Sequence, residues 1–145
     1  MKKIALLILI LGVLFGGGGG IVEGAEYKTL ILTRDLYERK ATDRFDCQKI
    51  VKIYAYIEWE NISRGDHILE GVWFNPSGKQ QEYTRYKFTV DEKTQQSAWL
   101  WIELHPASGK FIDPFAGMGK FVGKWKVVLY LDGELLGKKI FYVLC

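Results

Sequence analysis

The sequence predicts an all-β fold, a sandwich of seven antiparallel strands, on the strength of three observations. Apolar and polar residues alternate along most of the chain, and this period of two is typical of strands with one buried face. Aromatic residues, which favour strands, make up 14% of the 145 residues. Turn signals such as Asn75-Pro76-Ser77-Gly78 and Asp132-Gly133 separate the alternating segments. A small closed barrel is the alternative architecture, because strand number alone does not decide closure.

The first 25 residues are predicted to be a signal peptide that takes no part in the fold. Two lysines precede a 12-residue apolar run over residues 4–15, which is the order found in secretory signals. Cleavage is expected after Gly24, with Ala25 as the alternative, because small residues occupy these positions. The sequence therefore predicts an exported protein, periplasmic or secreted, with one domain over residues 26–145.

The same apolar run allows a second interpretation, an uncleaved membrane anchor. Residues 4–22 are all uncharged, and their number approaches the roughly 20 residues that a helix needs to span a bilayer. Five consecutive glycines at residues 16–20 weaken both the helix propensity and the hydrophobicity of this stretch. In either interpretation the lysines before the run place the remaining chain on the far side of the membrane.

Seven segments after residue 25 have the composition and length of strands. Glycine, proline, asparagine and aspartate are frequent between them, and these residues favour turns. In chain order the predicted strands are Tyr27–Leu32, Gln48–Glu60, His67–Phe74, Gln81–Val90, Ser97–His105, Gly123–Leu131 and Leu135–Leu144. Only Leu30–Lys40 has a pattern that permits a helical turn. The lack of alternating strands and helices favours an antiparallel sandwich over a parallel sheet.

Alternation also predicts which side chains face the core. One face of the second, fifth and sixth predicted strands is apolar, with the members Ile53, Ala55, Ile57, Trp59, Ala98, Leu100, Ile102, Leu104, Trp125, Val127, Leu129 and Leu131. The opposite face carries Tyr54, Tyr56, Trp99 and Trp101 and is expected to be solvated. The fourth predicted strand is the most polar, and charged residues such as Arg85 are typical of an edge strand that must not pair with other chains.

The last hairpin resembles that of a known family. Residues 123–137 begin with a G-x-W-x-V strand and contain a D-G turn, and the F-x-V strand Phe141-Tyr142-Val143 follows. This hairpin resembles the closing hairpin of bacterial exported immunoglobulin-like domains, and the W-x-N-P-x-G turn within His67–Gly78 resembles an earlier hairpin of that family. The resemblance implies a seven-stranded immunoglobulin-like β-sandwich and no catalytic activity. The spacing of paired cysteines and an intervening tryptophan that antibody domains have is missing, so no core disulfide of that type is implied.

The chain contains two cysteines, Cys47 and Cys145, which lie 98 positions apart. Two cysteines in an oxidising compartment can pair, so a disulfide between them is predicted, with free thiols or an intermolecular bridge as the alternatives. Neither cysteine has a histidine beside it in the sequence, and a nucleophilic role is therefore not expected.

Enzymatic activity and cofactor binding are not expected. The sequence has no G-x-S-x-G motif, phosphate-binding loop or dinucleotide fingerprint. Glu58 and Glu60 share one face of a strand, which is more typical of a solvated sheet than of a glycosidase carboxylate pair. The two histidines, His67 and His105, are not expected to form a metal site with nearby carboxylates. The formal charge of +3 is small for a nucleic-acid-binding protein, so no nucleic-acid partner is expected.

Exposed aromatic side chains are the candidate binding residues. Trp99 and Trp101 are expected to project away from the core beside Tyr54 and Tyr56. Adjacent exposed rings form a platform for sugar rings, peptides or a protein partner. The alternatives are that a long loop covers these rings or that the two faces of the strands are reversed.

The long loop over residues 106–121 supplies the other candidates, Phe111 and Phe115. A segment of this length without clear secondary structure is uncommon in a small domain and is often a binding loop. Its apolar side chains are expected either to cap one end of the sandwich or to form a tip that docks on a partner.

These observations predict a non-enzymatic, exported binding module of the bacterial cell envelope that engages a protein partner. Glycan binding through the aromatic platform is the first alternative. A membrane-anchored accessory domain with an uncleaved N-terminal helix is the second, and contact with a membrane is expected only through that segment.

Overall fold

The computed structural model describes residues 26–47, 49, 52–91, 97–104 and 121–144. Outside these residues lie the predicted signal peptide, nearly all of the long loop and the individual residues His105, Phe111, Phe115 and Cys145. Their predicted roles stay predictions.

Eight β-strands and no helix form in the described residues. The strands are β1 (Glu26–Thr33), β2 (Arg44–Asp46), β3 (Lys52–Asn61), β4 (Gly65–Phe74), β5 (Gln80–Val90), β6 (Ser97–Glu103), β7 (Gly123–Leu131) and β8 (Glu134–Leu144). The all-β class is confirmed, and seven of these strands correspond to the seven predicted. The predicted number of strands is nevertheless wrong, because β2 has no counterpart among them.

The strands form two sheets. The smaller has three strands in the order β1-β3-β6, and the larger has five in the order β2-β8-β7-β4-β5. β2 runs parallel to β8, with Phe45 opposite Val143, so the prediction of a purely antiparallel fold is also wrong at this strand. A three-residue strand is too short to show alternation, and its partner comes from the other end of the chain, so the local pattern carries no signal for it.

One hydrophobic core lies between the two sheets. All twelve side chains predicted to face the core are buried. β2 and β8 add Phe45 and Phe141, whose rings meet edge to face with centroids 5.7 Å apart. Two separate sheets around a shared core favour the sandwich over the barrel alternative.

Gly71 in β4 marks a close approach between the sheets. A Cβ atom at this position would lie 2.9 Å from Leu100 Cδ1 in β6 and 3.0 Å from Thr84 Oγ1 in β5. A larger side chain would have to displace both neighbours. The absence of a side chain at residue 71 therefore lets β4 pack tightly against β6 of the opposite sheet.

Both predicted turns and the predicted edge strand are confirmed. The amide of Gly78 donates to the carbonyl of Asn75 at 2.8 Å, which closes the turn between β4 and β5. Asp132 and Gly133 have φ values of 51° and 83°, and a type I′ turn needs positive φ at both positions. β5 lies at one edge of the five-stranded sheet, where Arg85 and its neighbours keep the strand polar.

Candidate functional site

The outer face of the three-stranded sheet brings the predicted aromatic residues together in pairs. β3 and β6 are neighbouring strands, and their register places Tyr54 opposite Trp101 and Tyr56 opposite Trp99. Cross-strand partners point to the same face of a sheet. The four rings nevertheless have different surroundings.

Trp101 is the most exposed of the four aromatic side chains. Its indole is 41% exposed. The ring of Tyr54 lies beside it with centroids 6.4 Å apart, and Lys52 Nζ lies 5.3 Å from the centroid of the indole. Lys52, Tyr54 and Trp101 are called the Trp101 patch below. An exposed indole next to a tyrosine and a lysine offers apolar area, a hydroxyl group and a positive charge to a partner.

Trp99 is half-buried at the junction of the two sheets. Its indole stacks on Tyr86 of β5, with centroids 6.4 Å apart and an interplanar angle of 19°. Tyr86 in turn stacks on Phe88 at 5.9 Å. These rings join the edge of one sheet to the edge of the other. Trp99 therefore takes part in packing and does not extend the exposed patch.

The prediction that Tyr56 is solvated is wrong, since only 4% of this residue is exposed. Arg39 covers it from the segment that follows β1. Arg39 Nη1 donates to the Tyr56 hydroxyl oxygen at 3.1 Å, and the guanidinium carbon lies 5.1 Å from the ring centroid. This contact joins residues 17 positions apart, so alternation within β3 could not reveal it.

Carboxylates share the outer face of this sheet with the Trp101 patch. Glu58 and Glu60 follow Tyr56 at the alternate positions of β3, and Glu103 of β6 lies opposite Lys52. Side chains two residues apart on a strand share a face, so these carboxylates lie on the same face as the cations Lys52 and Arg39. The outer face of this sheet therefore carries charges of both signs around an aromatic centre.

A histidine and an aspartate join the tip of the last hairpin to the start of β4. His67 is 6% exposed. Its Nδ1 lies 2.7 Å from Asp132 Oδ2, and its Nε2 lies 2.7 Å from the Ser63 carbonyl oxygen. Both partners are acceptors, so both ring nitrogens donate when the imidazole is protonated. The sequence predicts His67 at a strand end but carries no signal for this pairing, which spans 65 positions.

The pKa of His67 is raised by these surroundings. Burial opposes the charged imidazolium, but the hydrogen bonds with Asp132 and Ser63 and the charges of Asp132 and Asp66 together outweigh it. A folded-state pKa above the unfolded value means that the protonated ring stabilises the fold. This contribution is complete below about pH 6.5, the ordinary pKa of histidine, and is lost as the pH rises through the higher folded-state pKa.

We therefore expect the free energy of unfolding to be lower at pH 9 than at pH 6, because the stabilising contribution of protonated His67 is lost at the higher pH. Urea unfolding across this range measures the effect, and His67→Gln is the matched variant because its side-chain amide still donates one hydrogen bond. The variant should lose the part of the pH dependence that lies in the histidine range. The same pH dependence in both proteins would contradict the role of His67, because His105 is present in both.

No group of three or more His, Cys, Asp or Glu side chains in the described ranges could hold a metal ion. Cys47 is disulfide-bonded, and its amide donates to the carbonyl of Leu144 at 2.8 Å. Cys145, the other cysteine of the chain, lies outside the described residues, so its pairing with Cys47 stays a prediction. None of the described residues forms a helix long and apolar enough to cross a membrane.

Comparisons with known proteins find similarity of fold. No protein-family model matches the chain, and no curated protein matches its sequence. Among solved structures, the alkylpurine DNA glycosylase AlkC from Pseudomonas fluorescens, bound to DNA containing an abasic site analog, has a TM-score of 0.53 and 12% identity. The similar region covers 83% of this chain and 30% of the glycosylase. An immunoglobulin-like protein from Pseudomonas aeruginosa has a TM-score of 0.46 and 16% identity, and the match covers 83% of this chain and 91% of that protein. At these identities the first similarity shows a shared fold and says nothing about activity.

Proposed function

We propose that the sandwich is immunoglobulin-like. In that fold, strands A, B and E lie in one sheet and strands G, F, C and C′ lie in the other. If β1, β3 and β6 are A, B and E, then β8, β7, β4 and β5 follow the order G-F-C-C′. The added β2 extends this second sheet beyond G. The order of the strands is what supports the assignment.

We further propose that the protein is an exported, non-enzymatic binding module that engages a protein partner in the cell envelope. The exposed indole of Trp101 beside Tyr54 and Lys52 is the observation that carries this proposal. Tryptophan and tyrosine are enriched among the residues that dominate protein interfaces.

Replacement of Trp101 by alanine is expected to weaken binding to this partner by about 2 kcal/mol, which is roughly 30-fold in Kd. The substitution should lower the free energy of unfolding by at most about 1 kcal/mol, because Trp101 lies on the outer face and loses only its surface contacts with Tyr54 and Lys52. Cross-linking and quantitative capture from an envelope extract measure binding, and chemical denaturation measures stability.

Tyr37→Ala is the matched control for this experiment. Tyr37 is an aromatic residue that is 95% exposed but belongs to the turn after β1. The control should bind as the wild type does. Equal binding by wild type and Trp101→Ala would refute the proposal. A Trp101-dependent fluorescence change with oligosaccharides, and no captured protein, would instead support the glycan alternative. Glycan binding is the less favoured function because Trp99 is half-buried and Tyr56 is buried, so neither extends the exposed aromatic surface.

Export through residues 1–25 is a separate expectation with its own measurement. Cleavage by a signal peptidase should leave a mature chain that begins at Ala25, or at Glu26 if cleavage follows Ala25. Mass spectrometry of the protein recovered from outside the cytoplasm identifies this terminus. An intact Met1 or Lys2 on the exported protein would contradict cleavage and favour the anchored alternative.

A further inference from the structure

The outer face of the β7–β8 hairpin combines apolar and cationic side chains. The register of the two strands pairs Lys124 with Tyr142, Lys126 with Ile140, Val128 with Lys138, and Tyr130 with Leu135. Each of these pairs lies on the side of the sheet that points away from the core. Lysines and apolar residues therefore alternate across the hairpin and do not form two separate zones.

The apolar members of this face are unusually exposed. Leu135 is 67% exposed, Leu144 is 44% exposed, and Ile140 and Tyr142 are each 38% exposed. They make up half of the eight large exposed hydrophobic residues in the described part of the chain. Exposed apolar side chains concentrated on one face are typical of an interaction surface and unusual for a face that only meets water.

The lysines of the face have no acidic partner. Between the turn and the far end of the hairpin, the outward positions of β7 and β8 include no carboxylate. None of Lys124, Lys126 and Lys138 forms an ion pair within the described ranges. Lys126 instead lies over Phe74 of β4, with its Nζ 4.5 Å from the ring centroid. Arg44 of β2 lies opposite Tyr142 and adds a fourth cation.

The apolar surface continues onto the neighbouring strands. Val72 of β4 lies opposite Val128 on one side and Tyr83 of β5 on the other. Two carboxylates border this region, and each has a cation beside it. Glu70 accepts a hydrogen bond from the Tyr83 hydroxyl and lies 3.9 Å from Arg85 Nε. Asp46 of β2 lies opposite Leu144, with its Oδ2 3.7 Å from Lys49 Nζ.

We propose that this basic apolar face, centred on Lys124, Lys138, Leu135 and Ile140, docks on a membrane surface that contains anionic lipids. Lysines attract lipid phosphates, while the exposed leucine and isoleucine side chains enter the boundary between headgroups and acyl chains. Charge complementarity favours a lipid surface, and protruding aliphatic side chains would gain nothing from a nucleic-acid backbone. The Trp101 patch lies on the other sheet and faces the opposite way, so the two proposals are independent.

Vesicle co-sedimentation of the full chain tests this proposal. The measured quantity is the gain in binding to equimolar phosphatidylglycerol and phosphatidylcholine over pure phosphatidylcholine. Each lysine near an anionic surface contributes about fivefold to binding. This gain should therefore be about 25-fold smaller for the double variant Lys124→Gln, Lys138→Gln. A second double variant, Leu135→Ser, Ile140→Ser, should weaken binding to the mixed vesicles through the apolar contribution.

The matched control is Lys28→Gln, Lys40→Gln, which removes the same charge from exposed positions outside the hairpin. It should retain nearly all of the gain, and any binding through the unchanged residues 1–25 is common to all variants. Equal loss in control and hairpin variants would overturn the proposal, as would the absence of any gain with phosphatidylglycerol.

Self-association through this face, detected by sedimentation and abolished by Leu135→Ser, Ile140→Ser, would also overturn it in favour of contact between copies. Trp101→Ala should bind vesicles normally, so this proposal and the partner proposal can fail separately.

Discussion

Trp73→Ala is expected to destabilise the domain by about 3–5 kcal/mol, a large part of the stability of a protein of this size. Trp73 is fully buried in β4. Its ring meets Phe141 edge to face with centroids 6.1 Å apart, and its Nε1 donates to Thr84 Oγ1 at 2.9 Å. Alanine would leave a cavity at the centre of the core and remove the donor for Thr84. Urea unfolding monitored by far-ultraviolet circular dichroism measures the loss.

Trp73→Phe separates the two contributions. Phenylalanine retains an aromatic ring against Phe141 but has no N–H group, so it should destabilise the domain less than alanine does. A loss of less than about 1 kcal/mol for Trp73→Ala would contradict the central position of this side chain. Trp101→Ala provides the contrast, since a tryptophan on the outer face of a sheet should cost at most about 1 kcal/mol when it is removed.

Reduction of the disulfide at Cys47 is expected to cost about 4 kcal/mol of stability. If Cys145 is the partner, the bridge closes a loop of about 100 residues and removes entropy mainly from the unfolded chain. The hydrogen bond from the Cys47 amide to Leu144 already holds the end of β2 against the end of β8. Thiol titration of the unfolded, unreduced protein should find no free thiol. The midpoint of urea unfolding should fall on addition of a reductant.

The double variant Cys47→Ser, Cys145→Ser is the control for reduction. It should match the reduced wild type in stability and should not respond to a reductant. Two free thiols per chain would contradict a disulfide at either cysteine. A dimer that separates on reduction would instead show that the bridge is intermolecular.

The strands of the core could be predicted because their information is local. Along β6, the alternation of Ala98, Leu100 and Ile102 with polar or aromatic positions identifies both the strand and its buried face. The turn at Asp132 is equally local, since a type I′ turn depends on two adjacent residues. Burial of a regular pattern is therefore the part of this fold that a single sequence reveals.

The details of the candidate site could not be predicted, because they depend on contacts between distant segments. Tyr56 is buried by Arg39, which approaches from a different strand connection. Trp99 stacks on Tyr86 of the opposite sheet, so its exposure depends on how the two sheets are placed. Alternation correctly assigned both side chains to the outer face, but it contains no information about what covers that face.

The parallel pairing of β2 with β8 has a mechanical consequence. Three residue pairs join these strands, and in a parallel pair the start of one strand and the end of the other lie at opposite ends. Tension between the N-terminal end of β2 and the C-terminal end of β8 would therefore load their hydrogen bonds in shear, all at once, and not one after another as in unzipping.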